Sequence, residues 1–125
     1  MPYKTTWEDR GIVWRFRDYV TADEIEAANE EFYADERSDD AKYQIIDASK
    51  VTGVEWDDSA ITAAAAMDLG AETGIKNVKV AYVAPDADIM ALIEKYANIS
   101  RRMNSSWHFR GFTTLEEARE WISPA

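Results

Sequence analysis

The sequence predicts an α/β fold built on one mixed five-stranded sheet with helices packed on it. Two observations carry this expectation. The elements run β-β-α-β-α-β-α-β-α, an opening hairpin followed by regular alternation of strands and helices. That alternation favours parallel pairing through right-handed crossovers. Hydrophobic residues form 46% of the 125-residue chain, with charged residues interspersed at 30%. This balance supplies the core of one domain and argues against disorder. Beyond an alanine run there is no repeat, linker or low-complexity tract, so residues 1–125 read as a single domain.

Each element has its own signal. "YKTTW" alternates Tyr3, Thr5 and Trp7 against Lys4 and Thr6. "IVWRFRDY" alternates Ile12, Trp14 and Phe16 against Val13, Arg15 and Arg17. Both have the period of strands with one buried face. "EDRG" lies between them, and Gly11 is the residue expected to take the positive φ of the hairpin turn. In "TADEIEAANEEFYADE", Thr21 and Glu24 form a capping box, and Ile25, Ala28 and Phe32 repeat at helical spacing. The other face of that helix is acidic, through Asp23, Glu26 and Glu30.

After the polar break "RSDDAK", the run "YQIID" predicts a short central strand. An acidic loop with Trp56 then leads into "SAITAAAAMDLGAETG", rich in the best helix former. Asp57, Asp58 and Ser59 are all suitable N-caps, and Gly70 or Gly74 suits its end. "NVKVAYVA" predicts another strand. "PDADIMALIEKYANISRRMN" is the clearest helix, with a broad stripe of Ile89, Leu92, Ile93, Tyr96, Ile99 and Met103. "WHFRGF" predicts the last strand. "TTLEEAREWI" predicts the last helix, capped by Thr114 with Glu117, with Leu115, Ala118 and Ile122 inward.

Composition excludes several functions. Cysteine is absent, which removes disulfides, thiol nucleophiles and cysteine metal sites. His108 is the sole histidine, so one chain cannot build a histidine metal cluster. No metal or other cofactor is expected. The net charge of −10 opposes nucleic acid and anionic lipid. No apolar run is long enough for a transmembrane helix, and "MPYKTTWEDRG" lacks a signal pattern, so a cytoplasmic protein is expected. His108 and Arg110 share a strand face, as do Arg15 and Arg17; together they are weighed as a small anion site against solvated charges. No constellation reads as catalytic, and a non-enzyme is expected.

The ordered set "YQIIDASKV", a serine opening the next helix, "VKVAYVA" and "FRGFTTLEEAREWI" resembles the SpoIIAA-like proteins of the STAS superfamily, including its Sec14-like branch. The resemblance covers nearly the whole chain. It implies helices mainly on one face of the sheet and a binding or switch module without catalysis. In the anti-sigma-factor antagonists, it implies a serine phosphorylated at the start of the helix after the third strand, which blocks partner binding. Here the family pattern Asp-Ser-Ser-Gly becomes Asp57, Asp58, Ser59 and Ala60. Asp57 and Ser59 fit; Asp58 and Ala60 depart from it, and the loop from Asp47 is two residues longer.

Two functional expectations follow. The first is an apolar small molecule or membrane lipid held between the Ala60–Ala71 and Ile89–Met103 helices, which swing from the sheet. Trp56, Ile61, Ala64, Met67, Ile89, Ile93 and Tyr96 are the residues expected to touch it, and peripheral contact with a membrane goes with this reading. The second is a switch that binds a regulatory protein, with Ser59 as phosphorylation site. Against it, Glu55, Asp57 and Asp58 already place negative charge where a phosphate would add about −1.5 to −2 more. Ser59 then reads as a helix cap. Trp56 reads as a staple under the next helix or as an exposed anchor. A homodimer through an uncovered sheet face is expected to bury Tyr3 and Trp7.

Overall fold

A computed structural model of the chain describes residues 3–71, 74–75 and 77–123. Five strands form one sheet in sequential order: β1 (Tyr3–Glu8), β2 (Gly11–Val20), β3 (Tyr43–Val54), β4 (Lys79–Val83) and β5 (His108–Phe112). β1 pairs antiparallel with β2, and the remaining neighbours pair in parallel. Four helices follow the expected order: α1 (Ala22–Ala34), α2 (Asp58–Ala71), α3 (Ala87–Arg102) and α4 (Leu115–Ile122).

Sequential strand order decides where the helices lie. Each parallel crossover moves one strand in the same direction across the sheet. Crossovers of one hand then stack their helices on one face. Accordingly α1, α2 and α3 share a core with Trp14, Phe16, Val80 and Tyr82. Among the described residues the opposite face carries α4 alone, whose Ala118 packs with Val13, Ile45, Ala81 and Val83. The architecture is a mixed five-stranded sheet with helices mainly on one face, as expected.

Local signals place the helix ends. Thr21 and Glu24 close the capping box at α1, and Thr114 accepts from the Glu117 N–H at α4. Asp86 accepts from the N–H groups of Asp88 and Ile89 at α3. At α1, Phe32 is fully buried, with Trp7 stacked at 5.7 Å and Trp14 edge-on at 5.8 Å. Removing that ring would cost about 3–5 kcal/mol through lost packing and the cavity left behind.

Four expectations are corrected. β2 does not have a single buried face: Val13 is fully buried on the α4 side. Gly11 does not supply the left-handed turn residue; Arg10 does, at φ 63°. Glycine at position 11 answers to space instead, because a Cβ there would lie 2.2 Å from the Tyr43 ring.

β3 does not end near Asp47. It runs to Val54, paired with the tail of β2, and twice carries one residue more than its partner. The first irregularity follows Asp47, whose carboxylate accepts from the backbone N–H and hydroxyl of Ser49. Such local bonding resembles a turn in sequence, while β-branched Val51, Thr52 and Val54 continue the strand.

Finally, Tyr3 and Trp7 need no second chain to cover them. Tyr3 packs on Phe16 and donates to Glu31 of α1, and Trp7 lies under Phe32. α2 is helical to Ala71, with Gly70 inside it; Glu72 and Thr73, part of the expected helix end, lie outside the described residues, as do Met1 and Pro2.

Candidate functional site: an apolar cavity under α1

An apolar cavity of about 80 Å³ lies between the sheet and its three-helix layer. Trp14 and Phe16 of β2 and Gln44, Ile46 and Ala48 of β3 form its floor. Ile25, Ala28 and Asn29 of α1 face Ile89, Leu92, Ile93 and Tyr96 of α3 across it, and α2 contributes Ala64. No charged side chain lines it among the described residues. Pleat and register explain the floor: Trp14 pairs with Ile46, and Ile12 with Gln44, so alternate residues of both strands face the helices.

The sequence-predicted residues divide into groups. Trp56, Ala64, Ile89, Ile93 and Tyr96 line this cavity. Met67 lies instead on a neighbouring space of about 110 Å³ between α1 and α2, shared by Trp56 and Ala64. Ile61 is fully buried and lines neither. Trp56 is half-buried and borders both spaces, with its ring 5.5 Å from that of Tyr96. It is thus a plug packed on α3 rather than a freely exposed anchor.

The space is not where sequence reasoning put it. α2 and α3 meet directly, and the gap lies between α1 and α3. The α2 surface is too small-sided to hold two helices apart, so it closes on α3. The acidic face of α1 disguised its role: Ile25 and Ala28 at helical spacing were the available signal.

α2 is held at both ends. Asp68, buried at 3% exposure, accepts from the hydroxyls of Tyr33 on α1 and Tyr96 on α3. Burial first, then the Asp68 charge, raises the Tyr96 pKa well above the ordinary tyrosine value. At its other end, Asp58 pairs with Lys95 of α3. α1 has the weaker hold on the core: Ala28 and Phe32 are its buried residues among thirteen.

Two polar groups sit oddly in this apolar space. Trp14 is 2% exposed and Gln44 3%, yet Trp14 Nε1 and Gln44 Nε2 have no hydrogen-bond partner. Each unpaired buried donor costs about 1–3 kcal/mol.

Ser59 is exposed at the second position of α2. It is not the cap. Asp57 is, accepting from the Ala60 N–H at 2.8 Å through its side chain, while its carbonyl accepts from Ile61. The proposed anion cluster does not assemble, because β3 and β4 separate Arg15 and Arg17 on β2 from His108 on β5. Among the described residues, no cluster of His, Asp or Glu is arranged to hold a metal, and no helix is long and apolar enough to cross a membrane.

No protein-family model matches the chain, and no curated protein matches it by sequence. Solved structures do match. An uncharacterized protein with a SpoIIAA-like fold from Shewanella loihica superposes with a TM-score of 0.59 at 12% identity, covering 97% of this chain and 92% of that one. The anti-sigma factor antagonist SpoIIAA in its unphosphorylated form gives 0.58 at 11% identity, covering 96% of each chain. The Bacillus cell fate determinant SpoIIAA in its phosphorylated form gives 0.59 at 10% identity, covering 97% of this chain and 99% of that one. A five-stranded mixed sheet with three helices on one face and one on the other, superposing along nearly its whole length on these structures, is a SpoIIAA-like fold.

Proposed function

We propose that this SpoIIAA-like domain is a non-enzymatic regulatory module that responds to an apolar ligand held under α1. The observation that carries this reading is the uncharged cavity bounded by Trp14, Phe16, Ile25, Ile93 and Tyr96. At about 80 Å³ it is far smaller than the roughly 300–1,000 Å³ of drug-sized sites. A ligand therefore enters only as a helix moves outward. α1 is the helix to move: it buries only Ala28 and Phe32, and its Tyr33–Asp68 bond must break as it opens, whereas α2 and α3 are joined through both Asp68 and Lys95. Its displacement would change the surface a partner reads, which couples ligand to partner.

Native mass spectrometry of gently purified protein tests this, together with flotation on neutral liposomes. A co-purified apolar mass, or liposome binding with loss of amide protection in α1, is the expected result. A ligand-free protein that ignores neutral liposomes would remove the reading.

A second reading has its own observation: Ser59 is exposed at the start of α2, and the SpoIIAA neighbour exists in phosphorylated and unphosphorylated forms. In this reading Ser59 phosphate would weaken binding to a protein partner. Its setting is acidic, with Asp57 already capping the helix and Asp58 committed to Lys95. Intact-mass measurement from the native host, with and without phosphatase, distinguishes the two. A phosphate on Ser59 favours the switch.

A further inference from the structure

We infer that the ligand under α1 is a neutral apolar molecule carrying a carbonyl-type acceptor, which receives hydrogen bonds from Gln44 Nε2 and Trp14 Nε1. This rests on the ligand reading above and goes beyond it by naming the chemistry of the ligand's polar end.

An indole N–H donates only, and an amide NH₂ donates twice. Both residues line the cavity floor and are nine-tenths or more buried, and neither donor atom has a partner, so the movement of α1 that admits a ligand must also uncover them. Trp14 pairs with Ile46, two residues along β3 from Gln44 on the same sheet face. One carbonyl oxygen has two lone pairs and can accept from both sides. A pure hydrocarbon would leave both donors as they are.

Charge sets the second limit. A carboxylate or phosphate would also accept, but an anion taken out of water needs a countercharge. No lysine, arginine or histidine lines the cavity among the described residues, and the chain carries a net charge of −10. Ketones, esters and amides satisfy both limits. Fatty-acid carboxylates and phospholipid headgroups do not. Access requires the outward movement of α1, because a space of about 80 Å³ is smaller than such a molecule.

The test uses three small probes on the full chain: acetophenone, α-methylstyrene, which replaces the carbonyl oxygen with a CH₂ group of similar shape, and benzoate. Both neutral probes should shift the backbone amide resonances of Ile25, Ala64 and Ile93. Acetophenone alone should move the Trp14 indole and Gln44 side-chain amide protons downfield. Benzoate should bind at least tenfold more weakly than acetophenone. In Gln44→Leu, the ratio of acetophenone to α-methylstyrene affinity should fall about tenfold, the loss of one buried hydrogen bond. Taking the ratio cancels the unequal hydrophobicity of the probes. Trp14→Phe should lower the same ratio.

An unchanged ratio in both variants, with both probes bound in the cavity, overturns the acceptor inference and leaves the ligand reading standing. Benzoate binding as tightly as acetophenone overturns neutrality. Absence of binding by every probe overturns the inference together with the reading beneath it. The proton shifts are read in the unsubstituted protein, so they decide the matter even where a variant fails to fold.

Discussion

The hydroxyl of Tyr96 on α3 donates to the carboxylate of Asp68 on α2, and this bond joins two helices through the middle of the core. Tyr33 of α1 donates to the other oxygen of the same carboxylate. The three helices on one face of the sheet thus meet at one buried acid. A charged group there is retained only while it is hydrogen-bonded. Tyr96 also lines the apolar cavity, so the polar tie and the apolar site share one ring.

Removing one donor from that tie should be costly. Tyr96→Phe keeps the ring and deletes the hydroxyl, leaving a buried carboxylate under-satisfied. A loss of about 2 kcal/mol is expected, within the range for hydrogen bonds to charged groups. Urea denaturation checks it through a lower midpoint at unchanged slope. No loss of stability would show the carboxylate to be satisfied without this bond.

Alkaline pH should weaken the fold by the same physics. Burial and the Asp68 charge raise the Tyr96 pKa, and burial followed by the Glu8 hydrogen bond pushes Tyr43 up to about 12. In the unfolded chain both ionise near ~10. With the folded value raised, stability is full below about pH 10 and is lost as pH rises through the folded values. Denaturant midpoints from about pH 9 to about pH 12 should fall accordingly. Tyr96→Phe should show a shallower alkaline decline from its lower starting point, because phenylalanine does not ionise.

The opposite face has its own tie. Arg119 of α4 holds Glu8 of β1 through two bonds of 2.6 and 2.7 Å, and Tyr43 donates to Glu8 at 2.5 Å. The Arg119 hydrogen bonds hold the Glu8 carboxyl below its usual range, against the opposing effect of burial. With the folded pKa lowered, this stability is present above the unfolded value of 4.5 and is lost as pH falls through the folded value. Arg119 is 40% exposed, and solvent screening limits the pair to about 1 kcal/mol. Glu8→Gln should cost that much at neutral pH and less as the pH drops through the carboxylate range. An equal cost at all pH values would assign the effect to packing.

Much of the fold was legible because its signals are local. The capping box at Thr21 and the Thr114 cap each lie within four residues of chain and stand where the sequence put them. The tail of β3 was not legible, since Asp47 and Ser49 bond like a turn and only pairing with β2 reveals the strand. The site was partly legible. Trp56, Ala64, Ile89, Ile93 and Tyr96 fall in one cavity, but its other wall is α1, whose acidic pattern conceals it. The Asp68 tie joins residues 28 and 35 positions apart, a distance over which no sequence period operates.

The hairpin turn gives a prediction that separates space from backbone conformation. Gly11→Ala places a Cβ 2.2 Å from the Tyr43 ring, which must move and strain its bond to Glu8. Overpacking of this kind costs about 1–3 kcal/mol. Arg10→Gly should instead relieve a left-handed residue by about 1 kcal/mol. Thermal unfolding of the two variants checks the contrast. A destabilising Arg10→Gly with a neutral Gly11→Ala would reverse the assignment.

Filling the cavity distinguishes a binding site from a packing defect. Ala28 on α1 is 2% exposed and faces the space, so Ala28→Leu drives three further carbon atoms into it. Because no charged group lines the cavity among the described residues, the added carbons meet mainly apolar neighbours and should stabilise the protein by about 1 kcal/mol. A thermal midpoint raised by several degrees is the expected readout. If α1 opens to admit a ligand, the same leucine occupies the ligand's place, and binding of acetophenone should be lost while stability rises. A leucine that lowers stability would show the space to be too narrow to fill with α1 in place. One that stabilises and leaves binding untouched would move the ligand site elsewhere. Stability and binding therefore change in opposite directions only if the cavity under α1 is where the ligand sits.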